Sequence, residues 1–261
     1  HYFSAYGGKH ERRTKMTTEA LFEYDHIRMR AEYRTPDPHS HLAVHLILGT
    51  ESNVHCDISG EHIEAPGIFI AADITHTAYT TGGGMLVYLF DPACRYADMI
   101  NEIRLCGEPF QLLPENTADK IRSAWNSSVS PAQADRSILD ILGFPAADAS
   151  RRDGRATAVL DLLRSLDDIP EDIVQRLCSE ACLSQSRLSH LFRENVGISL
   201  HRYLAWEKMR KGYVNYQKYG SITEAAMRAG FDSPSHFAAT CKRMFGISFS
   251  DFVKGEKSAG K

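Results

Sequence analysis

The sequence predicts an α+β multidomain protein: an N-terminal antiparallel β-barrel with attached helices, then an all-α domain in which a long helix joins two helix-turn-helix motifs. Three observations support this prediction. Short apolar runs separated by Gly-rich turns fill residues 31–90, and helical periodicity replaces them afterwards. Near the end of the chain, the tripeptide Gly-Ile-Ser occurs twice, at residues 197–199 and 246–248.

The composition is that of an ordinary soluble globular protein. Of the 261 residues, 43% are hydrophobic and 24% are charged. No run of about 18 apolar residues can span a bilayer, and the N-terminal segment lacks the apolar core of a signal peptide. We therefore expect a cytoplasmic protein with no membrane partner. The six cysteines match no CxxC spacing, which argues against a zinc ribbon or a thioredoxin-type redox pair.

Changes in composition predict the domain boundaries. Residues 1–15 differ in character from the rest of the chain, and Met16 begins a stretch that resembles an authentic start, so the first 15 residues are interpreted as an extension or a cloning remnant. A segment rich in Ala, Asp and Arg predicts a flexible linker at 145–155. The expected division is a barrel with helices at 16–144, this linker, and the all-α domain at 156–255.

Five segments predict the strands of the barrel. They read HLAVHLILG, NVHCDI, GIFIAA, THTAYT and MLVYLF, and turn signals such as SGE and TGGG separate them. Regular short strands of this kind are typical of an antiparallel barrel or sandwich. After Pro92 the apolar residues follow helical spacing, with Tyr96, Met99, Ile100 and Ile103 on one face, which predicts a helical layer packed on the barrel.

The two Gly-Ile-Ser tripeptides end two copies of one pattern. Each copy has a short helix, a tight turn and a second helix that ends at a glycine, Gly197 in the first copy and Gly246 in the second. Superposing the glycines aligns apolar residues: Leu188 with Phe237, Phe192 with Cys241, Val196 with Phe245, Leu200 with Phe249, and Tyr203 with Phe252. One copy alone fits an antiparallel helix pair of an ordinary core equally well, but two copies in register favour a duplicated helix-turn-helix.

Local signals mark the ends of these helices. Ser184 and Ser233 stand where a side-chain oxygen can cap the second helix of each copy, and the glycines stand where a left-handed residue can end it. Between the copies lies SLHRYLAWEKMRKGYVNYQK, whose aromatic residues follow helical spacing. A helix of about 20 residues is about 30 Å long, close to one turn of B-DNA, so it can hold two helices in successive major grooves.

The C-terminal third carries the charge that attracts a polyanion. Residues 170–261 have 14 Lys and Arg against 9 Asp and Glu, a net charge of +5, whereas residues 1–169 have −8. We therefore expect the outward faces of both copies to contact DNA; a merely solvated polar face is the alternative. In the first copy the candidates are Ser184, Ser186, Arg187, Ser189, His190 and Arg193, and in the second they are Ser233, Ser235, His236, Ala239, Lys242 and Arg243.

The two outward faces differ in what they can recognise. Arg187 and His190 supply donors that suit phosphates and the acceptor-rich major-groove edge of guanine. Small residues such as Ser235 and Ala239 cannot make bidentate base contacts, so the second copy is expected to discriminate weakly, through contact with thymine methyl groups, DNA shape and phosphate anchoring. The first copy is expected to select the DNA site and the second mainly to hold it.

Two segments resemble the AraC/XylS family of bacterial transcription regulators. They read LSQSRLSHLFRENVGISLHRYL and ITEAAMRAGFDSPSHFAATCKRMFGISFSDF, and the resemblance covers about residues 172–253. It implies sequence-specific binding to double-stranded promoter DNA and recruitment of RNA polymerase, with activation expected over repression. It also implies an N-terminal cupin-like barrel that binds a small-molecule effector and supports a homodimer. No enzymatic reaction is expected.

Histidines in the predicted barrel resemble the two cupin motifs, in which two histidines and a carboxylate meet a further histidine. His45 stands where the carboxylate would be, so His39, His41, His45 and His76 are candidate ligands for zinc, iron, nickel or copper. The same histidines, with Tyr88, are alternatively the lining of a nonmetal effector pocket. No cofactor is certain, and a divalent metal in the barrel is the candidate.

The sequence alone is therefore compatible with two functional hypotheses. The main hypothesis is a transcriptional regulator controlled by a small molecule or a metal at the barrel. The rival is a metal-dependent cupin enzyme fused to a DNA-binding module. The effector, the target genes and the sign of regulation are not specified by the residues.

Overall fold

The computed structural model describes residues 17–32, 37–144 and 152–254. The predicted extension at residues 1–15 lies outside the described residues, as does most of the predicted linker. In the described part of the chain, no helix has the length and apolar character needed to cross a membrane.

The strands of the N-terminal part are antiparallel, as predicted, and the described ones form two sheets. A six-stranded sheet has the order β1-β2-β8-β3-β6-β9, and a three-stranded sheet has the order β5-β4-β7. The strands are β1 (Thr17–Phe22), β2 (His26–Glu32), β3 (Val44–Gly49), β4 (Val54–Ile58), β5 (Glu61–Ala65), β6 (Gly67–Ile70), β7 (His76–Thr80), β8 (Met85–Phe90) and β9 (Phe110–Leu112). The five predicted strand segments correspond to β3, β4, β6, β7 and β8, whereas β1, β2, β5 and β9 were not predicted.

Strand β8 separates two hydrophobic clusters. Its six residues are all buried, because it lies between β2 and β3 and is covered on both faces. Val87 and Leu89 belong to a cluster shared with β4, β7 and the C-terminal helices, whereas Tyr88 and Phe90 belong to a cluster on the opposite face. The alternation of side chains along a strand thus assigns each residue to one cluster.

A helical layer covers the Tyr88 face of the large sheet, as the spacing after Pro92 predicts, but Ile103 is exposed and does not belong to the packed face with Tyr96 and Ile100. It consists of α1 (Arg95–Met99), a π-helical turn (Ile100–Leu105), α2 (Glu115–Ser127) and α3 (Pro131–Ile141). Buried residues of this layer, including Tyr96, Ile121 and Ile138, pack against the strand residues of the sheet.

The C-terminal part is helical throughout its described length. It contains α4 (Gly154–Ser165), α5 (Ile173–Ala181), α6 (Gln185–Val196), α7 (Leu200–Tyr219), α8 (Ile222–Arg228), α9 (Pro234–Phe245) and α10 (Phe249–Lys254). The pairs α5–α6 and α8–α9 are the two predicted helix-turn-helix copies, and α7 is the predicted connecting helix of 20 residues.

The repeat seen in the sequence is also a structural repeat. Four of the aligned apolar pairs are buried in both copies: Leu188 with Phe237, Phe192 with Cys241, Val196 with Phe245, and Leu200 with Phe249. The side chain of Phe252, in the fifth pair, lies outside the described residues. Gly197 and Gly246 end α6 and α9 at φ +81° and +70°, the left-handed conformation predicted for both.

The two predicted serine caps have different outcomes. The Ser233 hydroxyl accepts a hydrogen bond of 3.1 Å from the His236 amide, as predicted. Ser184 occupies the cap position of α6, but its hydroxyl accepts no hydrogen bond from the helix, so the capping prediction is wrong there. Its side chain is exposed, which leaves the hydroxyl to solvent or to a bound molecule.

The helical part packs directly against the N-terminal part. The rings of Phe22 and Tyr213 stack with centroids 4.0 Å apart, and the Tyr203 hydroxyl donates to the buried Asp91 carboxylate at 3.1 Å. Residues of both parts belong to one hydrophobic cluster. Because the core continues from one part to the other, contacts within this interface determine how the helix-turn-helix copies are presented.

Candidate nucleic-acid interface and histidine cavity

Helix α6 presents the predicted DNA-contacting residues of the first copy on its outer face. All six of these residues are exposed: Ser184, Ser186, Arg187, Ser189, His190 and Arg193. Leu188 and Phe192, on the opposite face, are fully buried and attach the helix to the core. This separation follows from the helical period, which brings every third or fourth residue to the same face.

The cationic side chains of α6 are available for a ligand. Among the described residues, no hydrogen bond or ion pair engages the side chains of Arg187, His190 or Arg193. A guanidinium with five unused donors suits phosphate oxygens and the O6 and N7 acceptors of guanine. The first copy therefore has the chemistry for both backbone and base contacts.

Helix α9 presents a face that is already partly engaged. Ser235, His236, Ala239, Lys242 and Arg243 are exposed and Ser233 is half-buried. His236 Nδ1 lies 3.1 Å from an Asp232 carboxylate oxygen, and Arg243 donates to the Thr240 hydroxyl at 3.3 Å. Lys242 Nζ lies 3.0 Å from Asp37 Oδ2 in the N-terminal part. We refer to α6 and α9 as the first and second reading helices.

The connecting helix α7 fixes the second reading helix at close range. A Cβ atom added at Gly212 would lie 2.5 Å from Phe237 Cε2, so α9 approaches α7 at a point where only glycine fits. Phe237 is fully buried. Gly212 was not among the residues expected to matter, although a glycine in the middle of an otherwise continuous helix indicates close packing.

The four predicted histidines of the N-terminal part meet in one place. The ring centroids of His41 and His45 are 4.2 Å apart, and the His76 centroid is 4.6 Å from those of both His39 and His45. A β-bridge between His39 and His76 brings the loop before β3 beside β7. One ring nitrogen each from His39, His41 and His76 lies within 4.8 Å of the other two. His45 is their neighbour but is not part of this closest set.

The environment keeps these imidazoles neutral. Burial, together with the neighbouring histidines, lowers the pKa of His41 and His45 well below the usual value. Burial lowers the pKa of His76 to about 4 and also lowers the pKa of His39. Neutral imidazole is the form that binds a metal ion.

Hydrogen bonds define which ring nitrogen carries the proton. Each Nδ1 lies 2.9–3.2 Å from a backbone carbonyl oxygen, that of Asp37 for His39, Ala43 for His41 and His45, and Ile74 for His76. Because a carbonyl only accepts, every Nδ1 must donate, which leaves the lone pair on Nε2. The His45 Nε2 atom is buried and has no hydrogen-bond partner among the described residues.

The histidines line a small cavity of about 20 Å³ together with Met85 and Val87 of the large sheet. Phe245 and Ile247, from the end of the second helix-turn-helix copy, complete its wall. This contribution was not predicted, because nothing in the sequence indicates that a segment near the end of the chain closes the cavity.

Tyr88 does not lie with the histidines, which corrects its assignment to the same pocket. Its side chain points to the opposite face of β8, where its ring lies 5.5 Å from that of His26. The physical reason is the alternation along β8, in which Val87 and Leu89 face the cavity.

A larger cavity of about 210 Å³ lies where α4 meets the N-terminal part. Tyr24, Cys94, Tyr96 and Arg164 are among its lining residues, and the Arg164 guanidinium lies 4.0 Å from the Tyr24 ring centroid. No sequence pattern pointed to this cavity, because its wall is built from segments that are distant along the chain.

Comparison with known proteins identifies the helical part. The family model described as "Helix-turn-helix domain" matches residues 177–255. The HTH-type transcriptional regulator MtrA of Neisseria gonorrhoeae is 29% identical over 96 residues, which is 36% of this chain. The match spans about a third of the length of that relative (32%).

Solved structures of ToxT from Vibrio cholerae share the fold of both parts. An apo variant of ToxT aligns with a TM-score of 0.53 and 10% identity, covering 93% of this chain and 98% of that chain. A structure of wild-type ToxT bound to an unsaturated fatty acid aligns with a TM-score of 0.51 and 11% identity, covering 93% and 96%. At this identity the likeness shows the fold alone. The match shows a helix-turn-helix domain at residues 177–255, and the two-part fold of the chain is similar to that of ToxT.

Proposed function

We propose that this protein is a sequence-specific DNA-binding transcriptional regulator whose activity is controlled by a small molecule or a metal in its N-terminal part. One observation carries the proposal. Two helix-turn-helix copies stand in register on the basic third of the chain, and the first reading helix exposes cationic donors that no other described residue engages. Such donors, on the exposed face of a helix, are what double-stranded DNA requires for recognition in the major groove.

The first reading helix supplies base recognition in this proposal. Arg187 and His190 lie within one turn of each other on the exposed face of α6. Arg193 lies in the last turn of the same helix. Arginine at such a position pairs with the O6 and N7 atoms of guanine, and the flanking Ser184, Ser186 and Ser189 bind phosphates.

The second reading helix supplies anchoring. Lys242 and Arg243 lie in the last turn of α9 and can neutralise phosphates, while Ser235 and Ala239 offer little for base readout. Helix α7, with 20 residues and a length of about 30 Å, spaces the two copies by about one turn of B-DNA. One chain thereby contacts two successive major grooves.

The N-terminal part provides control. We infer that its two sheets close into a cupin-like barrel, because residues of both sheets, such as Met29 of β2 and Ala78 of β7, line the histidine cavity. His39, His41, His45 and His76 form the control site in this proposal. The ToxT structure with a bound unsaturated fatty acid supports control by a ligand, and the larger cavity beside α4 offers room for an organic effector.

The wider setting is proposed from the resemblance to the AraC/XylS family. We propose the boundaries 16–144, 145–155 and 156–255, a homodimer formed through the N-terminal part, and recruitment of RNA polymerase to the promoter in the cytoplasm, with activation favoured. We propose a regulatory site and not the catalytic centre of a metal-dependent enzyme, and the similarity of the helix-turn-helix domain to that of a transcriptional regulator supports this choice.

The test is competition for DNA. The purified protein is mixed with a labelled duplex from upstream of its own gene, and unlabelled upstream or scrambled duplex is added at moderate salt. The proposal predicts that the upstream duplex competes at least about 1,000-fold better than the scrambled one. Equal competition by both duplexes contradicts it.

A further inference from the structure

The histidine cavity is closed by the domain that reads DNA. Phe245 and Ile247 line it, and Gly246 between them is buried. A Cβ atom added at Gly246 would lie 2.6 Å from His39 Nδ1 and 2.8 Å from the Asp37 carbonyl oxygen. The turn after α9 therefore rests on the histidine ring itself and on the backbone that positions it.

The chemistry of the cavity specifies the class of its ligand. Its volume of about 20 Å³ holds a single ion or water molecule and is too small for an organic effector. Three ring nitrogens from His39, His41 and His76 converge on it, and the carbonyl-bound Nδ1 atoms leave Nε2 lone pairs as the ligands. An all-imidazole site of this kind suits zinc, nickel or copper and not magnesium or calcium, which take oxygen ligands.

We propose that His39, His41 and His76 bind one divalent transition-metal ion of the zinc class and that the Phe245–Ile247 turn is the cover of this site. Metal binding then tightens the docking of the second helix-turn-helix copy on the N-terminal part. The regulatory consequence, withdrawal of the second reading helix from DNA, rests on the proposed function.

Metal binding tightens the docking, and does not loosen it, because His39 has two roles. It is a metal ligand, and it also contacts the docked Phe245–Ile247 turn. In a tetrahedral site, zinc–imidazole bonds of about 2.0–2.1 Å place two ligand nitrogens about 3.4 Å apart, so the present separations of up to 4.8 Å must shorten when the metal binds. His39 is half-buried, and its Nδ1 donates a hydrogen bond to the Asp37 carbonyl oxygen. The Asp37 amide donates to the Gly246 carbonyl oxygen, and the Asp37 carboxylate forms the ion pair with Lys242.

The docked turn excludes water and supports the segment that carries His39. When the turn leaves, this segment loses its contacts with Gly246 and Lys242, and the cavity opens. The docked form therefore binds metal more tightly, and by linkage the metal favours the docked form. Lys242 is then retained by Asp37 and is withheld from phosphate.

The first experiment measures binding with cobalt(II), whose d–d absorption reports the number and geometry of the ligands around the ion. Full-length protein freed of metal with a chelator is titrated with cobalt(II), and zinc(II) is then added in competition. One cobalt per chain, displaced by zinc, is expected. His39→Asn and His41→Gln should each weaken binding at least about tenfold, whereas His201→Gln, an exposed histidine of α7, should not.

His39 is only half-buried, so its variant keeps the test valid even if His41→Gln does not fold. Absence of stoichiometric cobalt binding, or equal binding by the His39→Asn and His201→Gln proteins, overturns the metal site.

The second experiment tests the cover with matched glycines. Gly246→Ala and Gly197→Ala impose the same left-handed strain at φ +70° and +81°, but only the Cβ at position 246 meets a neighbour within 4 Å. Gly246→Ala should therefore weaken cobalt binding at least about fivefold, and Gly197→Ala should leave it unchanged. In the unmodified chain, metal should slow hydrogen exchange in residues 242–247. Equal cobalt affinities of the two variants, or unchanged exchange, overturn the coupling.

These measurements contain no DNA, so they separate the two proposals. Cobalt binding with no preference for upstream DNA contradicts only the proposed function. Preference for upstream DNA without cobalt binding contradicts only the metal site.

Discussion

Lys242, on the second reading helix, forms an ion pair of 3.0 Å with Asp37 of the N-terminal part. A residue expected to bind phosphate is thus engaged within the protein. Arg202, at the start of α7, is held in the same way by both carboxylate oxygens of Asp73. Two acidic residues of the N-terminal part thus form ion pairs with exposed cations of the helical part.

Asp37→Asn should strengthen DNA binding. The variant removes a competitor for Lys242, and because both side chains are more than half exposed, the gain should be modest, about two- to fivefold. Fluorescence anisotropy with a labelled duplex at low salt measures it. Asp119→Asn, which breaks an exposed ion pair with Arg122 inside the N-terminal part, is the control. An unchanged or lower affinity for Asp37→Asn contradicts the competition.

The two reading helices should respond unequally to substitution. Arg187→Ala and His190→Ala remove donors from the exposed face of α6, and Arg187→Ala should lower affinity for the specific duplex by about 10- to 100-fold. Ser235→Ala and Ala239→Ser on α9 should change affinity less than about threefold, because neither side chain makes bidentate base contacts. Losses of equal size from all four variants would show that the inferred asymmetry is wrong.

Gly212→Ala should destabilise the protein although alanine favours helices. In an exposed helix interior, replacing glycine by alanine raises the free energy of unfolding by about 1 kcal/mol. Here, however, the new Cβ would lie 2.5 Å from the buried ring of Phe237. We expect a net loss of about 1–3 kcal/mol in the free energy of unfolding, measured by urea denaturation. Gly154→Ala, where the Cβ meets no atom of the described residues within 4 Å, is the matched control and should show no such loss.

The repeat and the helices could be read from the sequence because their signals are local. Gly197 and Gly246, the buried apolar pairs before them, and the 20 residues of α7 each follow from short-range periodicity. The histidine cluster could also be anticipated, since His39, His41 and His45 stand close together. The cover formed by Phe245 and Ile247 could not, because docking between distant segments depends on the complementary shapes of two folded surfaces.

Strands β1 and β2 were not predicted because their positions also depend on contacts between distant segments. The β2 segment HIRMRAE contains two arginines, and its place beside β8 depends on long-range pairing. Arg28 is fully buried there and donates to the Pro131 carbonyl at 3.1 Å. Similarly, Tyr88 was assigned to the wrong face because a strand buried on both sides shows no polar alternation.

His26 should make stability depend on pH. Burial alone would lower the pKa of His26, but hydrogen bonds to Asp135 and Asp25 outweigh it and raise this pKa to about 9. The stabilisation, on the order of 3 kcal/mol, is therefore complete below about pH 6.5 and is lost as the pH rises through 9.

Thermal melts between pH 6 and pH 9.5 test this dependence. The double variant His26→Gln/Asp135→Asn replaces the charged pair by a neutral one and should show a flatter decline in Tm over this range. His62→Gln, in an exposed pair with Asp57, should keep the decline of the unmodified chain. A parallel decline in the double variant contradicts the role of His26.

Hydroxyl-radical footprinting on the DNA upstream of the gene determines whether one chain reads two successive major grooves, on which the proposed function depends. Two protected segments are expected on one face of the duplex, centred about 10 base pairs apart, with Arg187→Ala weakening one of them more than the other. No protection, or a single protected segment that Arg187→Ala leaves unchanged, would contradict recognition by two reading helices.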